Sequence, residues 1–220
     1  MAGARYDAIV DWYQQFRPSL TGDELDALRR LLGRGSGRCL DIGCGTGVAA
    51  AAVAELGWSV TGVDVSEGLL ALARKRGLDV ITASADALPF GDSTFDAAVS
   101  VWTHTDVDDF ATAMAEVARV LRPSALFVYV GAHPCFVGPH SLFVRAEGVP
   151  KLHPGYREAL RYDSSAAGVH ADGLRARVGG VHLPLDSFLE AFLAAGLRLE
   201  RFEELGEREY PHVVALRARR

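Results

Sequence analysis

Residues 39–47 read Cys-Leu-Asp-Ile-Gly-Cys-Gly-Thr-Gly, an apolar run that breaks into glycine at every second position. No other stretch constrains the chain so tightly. Cys39, Leu40 and Ile42 suit a buried strand, while Gly43, Gly45 and Gly47 let the backbone turn sharply and lie bare to a ligand. The Ala-rich run 46–56, stopped by Gly57, then reads as a helix. Its first amides and its dipole face whatever sits on the loop, which favours an anionic group. Strand, glycine loop and helix in this order form a cradle for a nucleotide-like ligand.

The spacing narrows the ligand. A dinucleotide fingerprint needs G-x-G-x-x-G or a final Ala. Here position 48 is Val48, and the third glycine arrives one residue early, at Gly47. An acid, Asp41, precedes the glycines. A second acid closes the next strand, Val60-Thr61-Gly62-Val63-Asp64, before a Ser66 helix cap. Asp64 stands about twenty residues past the loop, the distance at which an acid grips ribose hydroxyls.

The stretch from Asp41 to Gly47 resembles motif I of the class I S-adenosylmethionine-dependent methyltransferases, and Asp64 resembles their ribose-binding acid. Ser84-Ala85-Asp86-Ala87-Leu88-Pro89-Phe90, followed by Ser93-Thr94-Phe95-Asp96, is similar to their adenine-holding signature. The resemblance covers residues 35–132, with more near 183–203. It implies S-adenosyl-L-methionine as cofactor and S-adenosyl-L-homocysteine as product. The implied cofactor contacts are Asp41, Gly43, Cys44, Gly45, Gly47, Asp64, Val65, Ser84, Ala85, Asp86 and Val101. Asp41 has two compatible roles: fixing the loop, and meeting the cofactor's amino group directly or through water. At the adenine, many relatives carry an Asp where this chain has Ser84. Either Ser84 or Asp86 could reach the amino group, with the Ala85 backbone on a ring nitrogen.

The rest of the chain alternates strands (38–42, 59–64, 79–83, 97–102, 125–131) with helices (46–56, 66–76, 107–121), the rhythm of a parallel sheet covered on both faces. A helix at 186–195 and strands at 197–202 and 212–216 follow. The expected fold is α/β: a Rossmann-like, doubly wound, seven-stranded sheet, mostly parallel, ending in the antiparallel hairpin that the family resemblance implies. Ligands of such sheets lie at the carboxyl ends of the strands, where the motifs fall. Two N-terminal helices occupy 1–34. In the first, Tyr6, Ile9, Tyr13 and Phe16 share a face. The second opens on the capping box Thr21-Gly22-Asp23-Glu24.

With 220 residues and 49% hydrophobic content, one domain spanning 1–220 with an insertion is the natural reading. The insertion is 133–184, which breaks the rhythm, carries five of the seven histidines and is long enough for a lid. Net charge −5 disfavours extended nucleic acid. There is no signal-peptide core and no membrane-spanning apolar run. Cys39, Cys44 and Cys135 read as free thiols, consistent with a cytoplasmic location. No metal-ligand spacing occurs, and oligomeric state is open.

Methyl transfer from a sulfonium is an in-line displacement, so positioning carries most of the catalysis. A base is needed only where the nucleophile must lose a proton. His104, just past the fourth strand, is the first candidate, its alternative being to pack on the cofactor or cap a helix. His133, past the fifth strand, is the second. His140 with Ser141 is placed in the lid. His153, His170, His182 and His212 hold no favoured position. Trp102, Phe136, Phe143, Tyr156 and Tyr162 are candidates for an apolar substrate wall. The expected function is methyl transfer to a small organic molecule, with 133–184 closing over it. The rivals are a cofactor-binding protein of this fold without methyl transfer (a cyclase or regulatory binder), a nicotinamide oxidoreductase, and a methyltransferase acting on a protein.

Overall fold

A computed structural model describes residues 3–139, 141–142, 151–152, 154–207 and 210–220. Eleven strands run in chain order: β1 (Arg38–Ile42), β2 (Ser59–Asp64), β3 (Asp79–Thr82), β4 (Phe95–Val101), β5 (Leu121–Ala132), β6 (Ser141–Leu142), β7 (Lys151–Leu152), β8 (Leu160–Tyr162), β9 (Gly180–His182), β10 (Arg198–Leu205) and β11 (Val213–Arg219). The helices are α1 (Gly3–Asp7), α2 (Val10–Phe16), α3 (Gly22–Leu32), α4 (Val48–Glu55), α5 (Glu67–Lys75), α6 (Phe110–Val120), α7 (Leu174–Val178) and α8 (Leu185–Ala194).

Seven strands form one sheet in the order β10-β11-β5-β4-β1-β2-β3. The five from β1 to β5 are mutually parallel, and β11 joins β5 antiparallel with β10 beyond it. The chain order reverses between β1 and β4, so the crevice lies where the glycine loop leaves β1. Strand alternation sorts the core onto two faces. Leu40, Ala98, Phe127 and Tyr129 pack with Phe110, Met114, Val117, Phe188 and Phe192 from α6 and α8. Cys39, Ala97, Val99, Val128 and Val130 pack with Leu28, Leu31 and Leu32 of α3 and Val53 of α4. The expected fold is the observed one.

Three local departures have physical reasons. The expected first helix is two, α1 and α2, separated at Ala8–Ile9, yet Tyr6 and Tyr13 still meet edge to face with centroids 5.3 Å apart. The helix expected from 107 starts at Phe110, because Asp109 caps it by accepting the Thr112 amide at 2.9 Å. Ahead of it, residues His104–Asp106 form a single 3₁₀ turn. Finally, β5 begins at Leu121 rather than 125. Its pairing with β4 slips between Phe95 and Ala97, and Pro123 stands in that bulge, where no ladder amide is lost.

Between β5 and α8 the chain leaves the main sheet. There β6 pairs with β7, and β8 with β9. His140, Phe143 and His153 lie outside the described residues. No helix among the described residues is long and apolar enough to cross a membrane.

Candidate active site

Gly43, Gly45 and Gly47 all take left-handed backbone, with φ of 70°, 53° and 83°. Each serves a different need. A Cβ at Gly43 would stand 2.6 Å from Thr103 Oγ1, and one at Gly47 would stand 2.2 Å from Leu78 Cδ1. These two glycines let neighbouring segments close in. A Cβ at Gly45 would meet only Leu69 Cδ1, at 3.9 Å, so the loop's apex faces open space. That apex is the bare backbone a ligand can approach.

Asp64 holds the apex in place. Its Oδ2 accepts the Gly45 amide at 2.9 Å and its Oδ1 the Ser66 amide at 2.8 Å. Ser66 caps α5 itself, accepting the Leu69 amide at 3.2 Å. Burial raises the Asp64 carboxyl to about 6, against the lowering pull of the Ser66 and Gly45 amides. Asp41, at the end of β1, is wholly buried, and neither of its oxygens has a hydrogen-bond partner among the described residues. Burial, then the nearby Asp64 charge, pushes it up to about 7, with the Ala50 amide acting weakly the other way. An unsatisfied buried carboxyl is costly. Beneath a glycine cradle it is a site prepared for a cation or a donor.

The third strand end completes this edge. The Ala83 amide donates to the Asp64 carbonyl at 3.0 Å, which carries Ser84, Ala85 and Asp86 in beside Asp64, all half-buried. Val65 and Val101 are also half-buried on the neighbouring strand ends.

A cavity of about 270 Å³ opens beyond β4. Tyr6, Tyr13, Phe16, Trp102 and Tyr162 supply aromatic walls, Val137, Val169 and Leu174 aliphatic ones, and Arg17, His170 and Arg175 the polar points. It adjoins the cradle. Trp102 precedes Thr103, whose hydroxyl donates to the Ile42 carbonyl at 3.1 Å beside Gly43. Trp102 itself is held with φ of 62°, a strained setting for a bulky residue. Its indole N–H donates to Glu24 Oε1 at 2.7 Å, and the Arg17 guanidinium lies 4.5 Å above its ring. Glu24, buried in α3, also accepts from Arg17 at 2.7 Å and from the Thr21 amide at 3.0 Å. The capping box therefore doubles as the anchor of a cavity wall.

The far wall is tied down by Arg175 on α7. Its Nη1 and Nη2 reach the two oxygens of Asp106 at 2.7 and 3.0 Å, and Nη2 also reaches Thr105 Oγ1 at 2.9 Å. This bidentate pair fixes α7 to the turn after β4.

Residues 40–129 match the family model for the methyltransferase domain. Over 181 residues the chain is 30% identical to a demethylmenaquinone methyltransferase of Renibacterium salmoninarum, covering 79% of this chain and 76% of the relative. The chain belongs to the S-adenosylmethionine-dependent methyltransferases. A ubiquinone/menaquinone biosynthesis C-methyltransferase of Desulfotalea psychrophila is 32% identical over 161 residues, 67% of this chain and 65% of that one. Among solved structures, an S-adenosylmethionine-dependent methyltransferase from Mesorhizobium loti superposes with a TM-score of 0.74 at 26% identity, covering 90% and 99% of the two chains. The cyclase SpnF superposes with a TM-score of 0.69, covering 99% and 94%, and at 20% identity shares the fold alone.

For this methyltransferase the two expected bases change character. His104 is 2% exposed, lies among the rings of Phe110, Tyr129 and Phe188, and shares a short Nδ1 hydrogen bond with the Tyr129 hydroxyl. Burial, followed by the Arg175 charge, drops it to about 3. It lies outside the cavity lining, so this geometry favours the packing role over the base. His133 is likewise buried, with Nδ1 accepting the Cys135 amide at 3.1 Å and Nε2 against Glu204 at 2.9 Å. Both ring nitrogens are occupied. The Cys44 sulfur turns under the loop, packing with Leu70, Ala73 and Val80 near Gly62, which leaves only its backbone on the cradle.

His170 is the residue the sequence passes over. It is the histidine of the described cavity wall, with Nδ1 accepting the Asp172 amide at 3.2 Å. A neutral imidazole so held carries its proton on Nε2 and is a donor. Its surroundings come from 168–175, where no sequence pattern marks it.

Proposed function

We propose that this chain methylates a small, mainly apolar organic molecule held in the aromatic cavity beyond β4. The observation that carries this reading is an aromatic-walled cavity whose Trp102 immediately precedes Thr103, the residue packed against Gly43 of the glycine loop. Quinone precursors, the kind of acceptor named for two relatives, match the chemistry of such walls.

The residues present fit S-adenosylmethionine, which when bound supplies an electrophilic methyl group. Gly45 gives the methionine portion a bare backbone, and Gly43 and Gly47 keep that backbone in place. Asp41 offers a buried acid to the amino group, while Asp64 offers carboxylate lone pairs to the ribose hydroxyls beyond those used by two amides. Ser84, Ala85 and Asp86 border the adenine end, and Val65 and Val101 its apolar sides. On the acceptor side, Trp102 and Tyr13 exclude water, Arg17, paired with Glu24, holds the Trp102 ring in place, and His170 donates from Nε2. Orientation of this kind contributes about 7–11 kcal/mol in favourable cases. Among the described residues of the insertion, Val137, Tyr162, Val169 and Leu174 supply the outer wall.

The test is isothermal titration calorimetry with S-adenosylmethionine, then assay of S-adenosylhomocysteine release over a panel of phenols, quinols and fatty acids. Product with an aromatic acceptor, lost in Trp102→Ala, supports the reading. Cofactor binding with no product from any acceptor rejects methyl transfer in favour of the cofactor-binding alternative.

A further inference from the structure

A second groove, of about 540 Å³, lies on the other side of α7 and shares Tyr162 with the aromatic cavity. Its lining brings together Arg5 from α1, Arg161 from β8 and Arg177 from α7, together with Ser164 and Ser165. The lining holds one carboxylate, Asp163. That carboxylate is already engaged, its Oδ1 accepting the Ser165 amide at 2.9 Å and the Ser165 hydroxyl at 2.7 Å.

Among the described residues, only Arg161 of the three is paired with a carboxylate. Arg5 Nη1 donates to the Val178 carbonyl at 2.7 Å, but its Nη2 is buried with no hydrogen-bond partner among the described residues. Burial, and next the Arg5 charge, lowers the Arg161 guanidinium from its ordinary value, against the raising pull of Asp106, so the two cations lie close enough to repel. Arg161 also pairs with the largely exposed Asp108, and Arg177 lies 4.2 Å over the Trp12 ring. A buried N–H without an acceptor costs stability, and like charges at close range add to that cost. An anion entering the groove relieves the repulsion between the guanidinium groups.

We propose that this groove binds an anionic group, a phosphate or carboxylate, carried by a small molecule. Arginine forks match either group in planar, bidentate fashion, and the serine hydroxyls and amides add donors. The site stands apart from the cradle and does not depend on methyl transfer. It does touch the active site's wall: residues 176–179 line the groove, while Arg175 one position earlier grips Asp106. An anion held there steadies α7, and with it the outer side of the cavity.

The experiment uses the full chain without cofactor, at constant ionic strength held by chloride. Inorganic phosphate, succinate and phenyl phosphate are titrated by calorimetry, with thermal denaturation in parallel. Saturable binding of at least one probe is expected, weakened five- to tenfold in Arg161→Gln and, separately, in Arg177→Gln. Both variants leave the Arg5 contact to Val178 intact and are checked for unchanged circular dichroism. Equal affinity for phosphate and phenyl phosphate identifies a free anion as the occupant. A gain of tenfold or more for phenyl phosphate, lost in Tyr162→Ala, identifies an anionic group on an aromatic ligand that spans groove and cavity. No saturable binding of any probe, or binding unchanged in both arginine variants, overturns the proposal.

Discussion

Asp41→Asn tests how the cradle is electrostatically prepared. In the cofactor-free protein the Asp41 carboxyl is lifted from 3.8 to about 7, because it is buried, lacks a partner and lies near Asp64. On unfolding it regains its ordinary value. Between those limits the folded state holds the extra proton, so the stability contributed is present at low pH and lost as pH rises towards 7. A carboxyl raised from 3.8 to about 7 contributes about 4 kcal/mol when the effect is fully developed. Asparagine copies the shape of the protonated acid and also lacks partners, so its own burial cost is a constant offset. The pH-dependent part is the diagnostic.

Urea denaturation of both proteins at intervals from pH 4 to pH 8, without cofactor, reads it directly. The wild type should lose stability steadily across that range. The variant should keep only the smaller slope due to Asp64, itself raised to about 6. Asp41→Asn should therefore gain on the wild type by up to about 4 kcal/mol between pH 4 and pH 8. Parallel curves with the same slope would mean that Asp41 is already satisfied in the folded protein, and the prepared-site argument would fall. The same substitution should weaken S-adenosylmethionine, because the acid's return for its burial is the cation it meets.

Asp64→Ala removes a charged acceptor and releases the Gly45 amide; cofactor affinity should drop by about 1.5–3 kcal/mol, and unchanged calorimetry removes Asp64 from the site. Gly45→Ala has room for its methyl but not the right backbone, so folding should lose about 1–2 kcal/mol while affinity falls further, the methyl occupying the cradle. Retained affinity would place the ligand elsewhere. His104→Ala empties an aromatic box, and should cost about 2–4 kcal/mol of stability yet leave the pH profile of turnover unchanged. Loss of an ionisation near neutral pH from that profile would restore His104 as a base.

The sheet was legible because its inner strands repeat one local rule, buried apolar residues on two helix-covered faces, and because caps and glycines mark the ends. The placement of Asp41, Asp64 and the three glycines at one sheet edge was legible for a related reason: they fall within one βαβ unit, at fixed spacing. The cavity was legible only in part: of the expected wall residues Trp102 and Tyr162 line it, while Phe136 and Tyr156 do not. Its walls come from Tyr6 to Arg17, from Trp102, from Val137 and Gly138, and from residues 162–175, four segments with no shared period. Position along the chain pointed to His104 and His133 because both follow strands at the correct edge, yet each ring is claimed by a local partner, Tyr129 or Glu204, that lies far away in sequence. His170 shows the converse, an unmarked residue carried to the wall by a fold-back. The same asymmetry reaches Glu24, which the sequence marks as a helix cap while its carboxylate also holds Arg17 and Trp102. The cradle is written in short-range spacing because one strand, loop and helix build it. Acceptor chemistry is set by long-range packing, and there a second partner for each side chain, invisible along the chain, decides whether it reacts or merely holds.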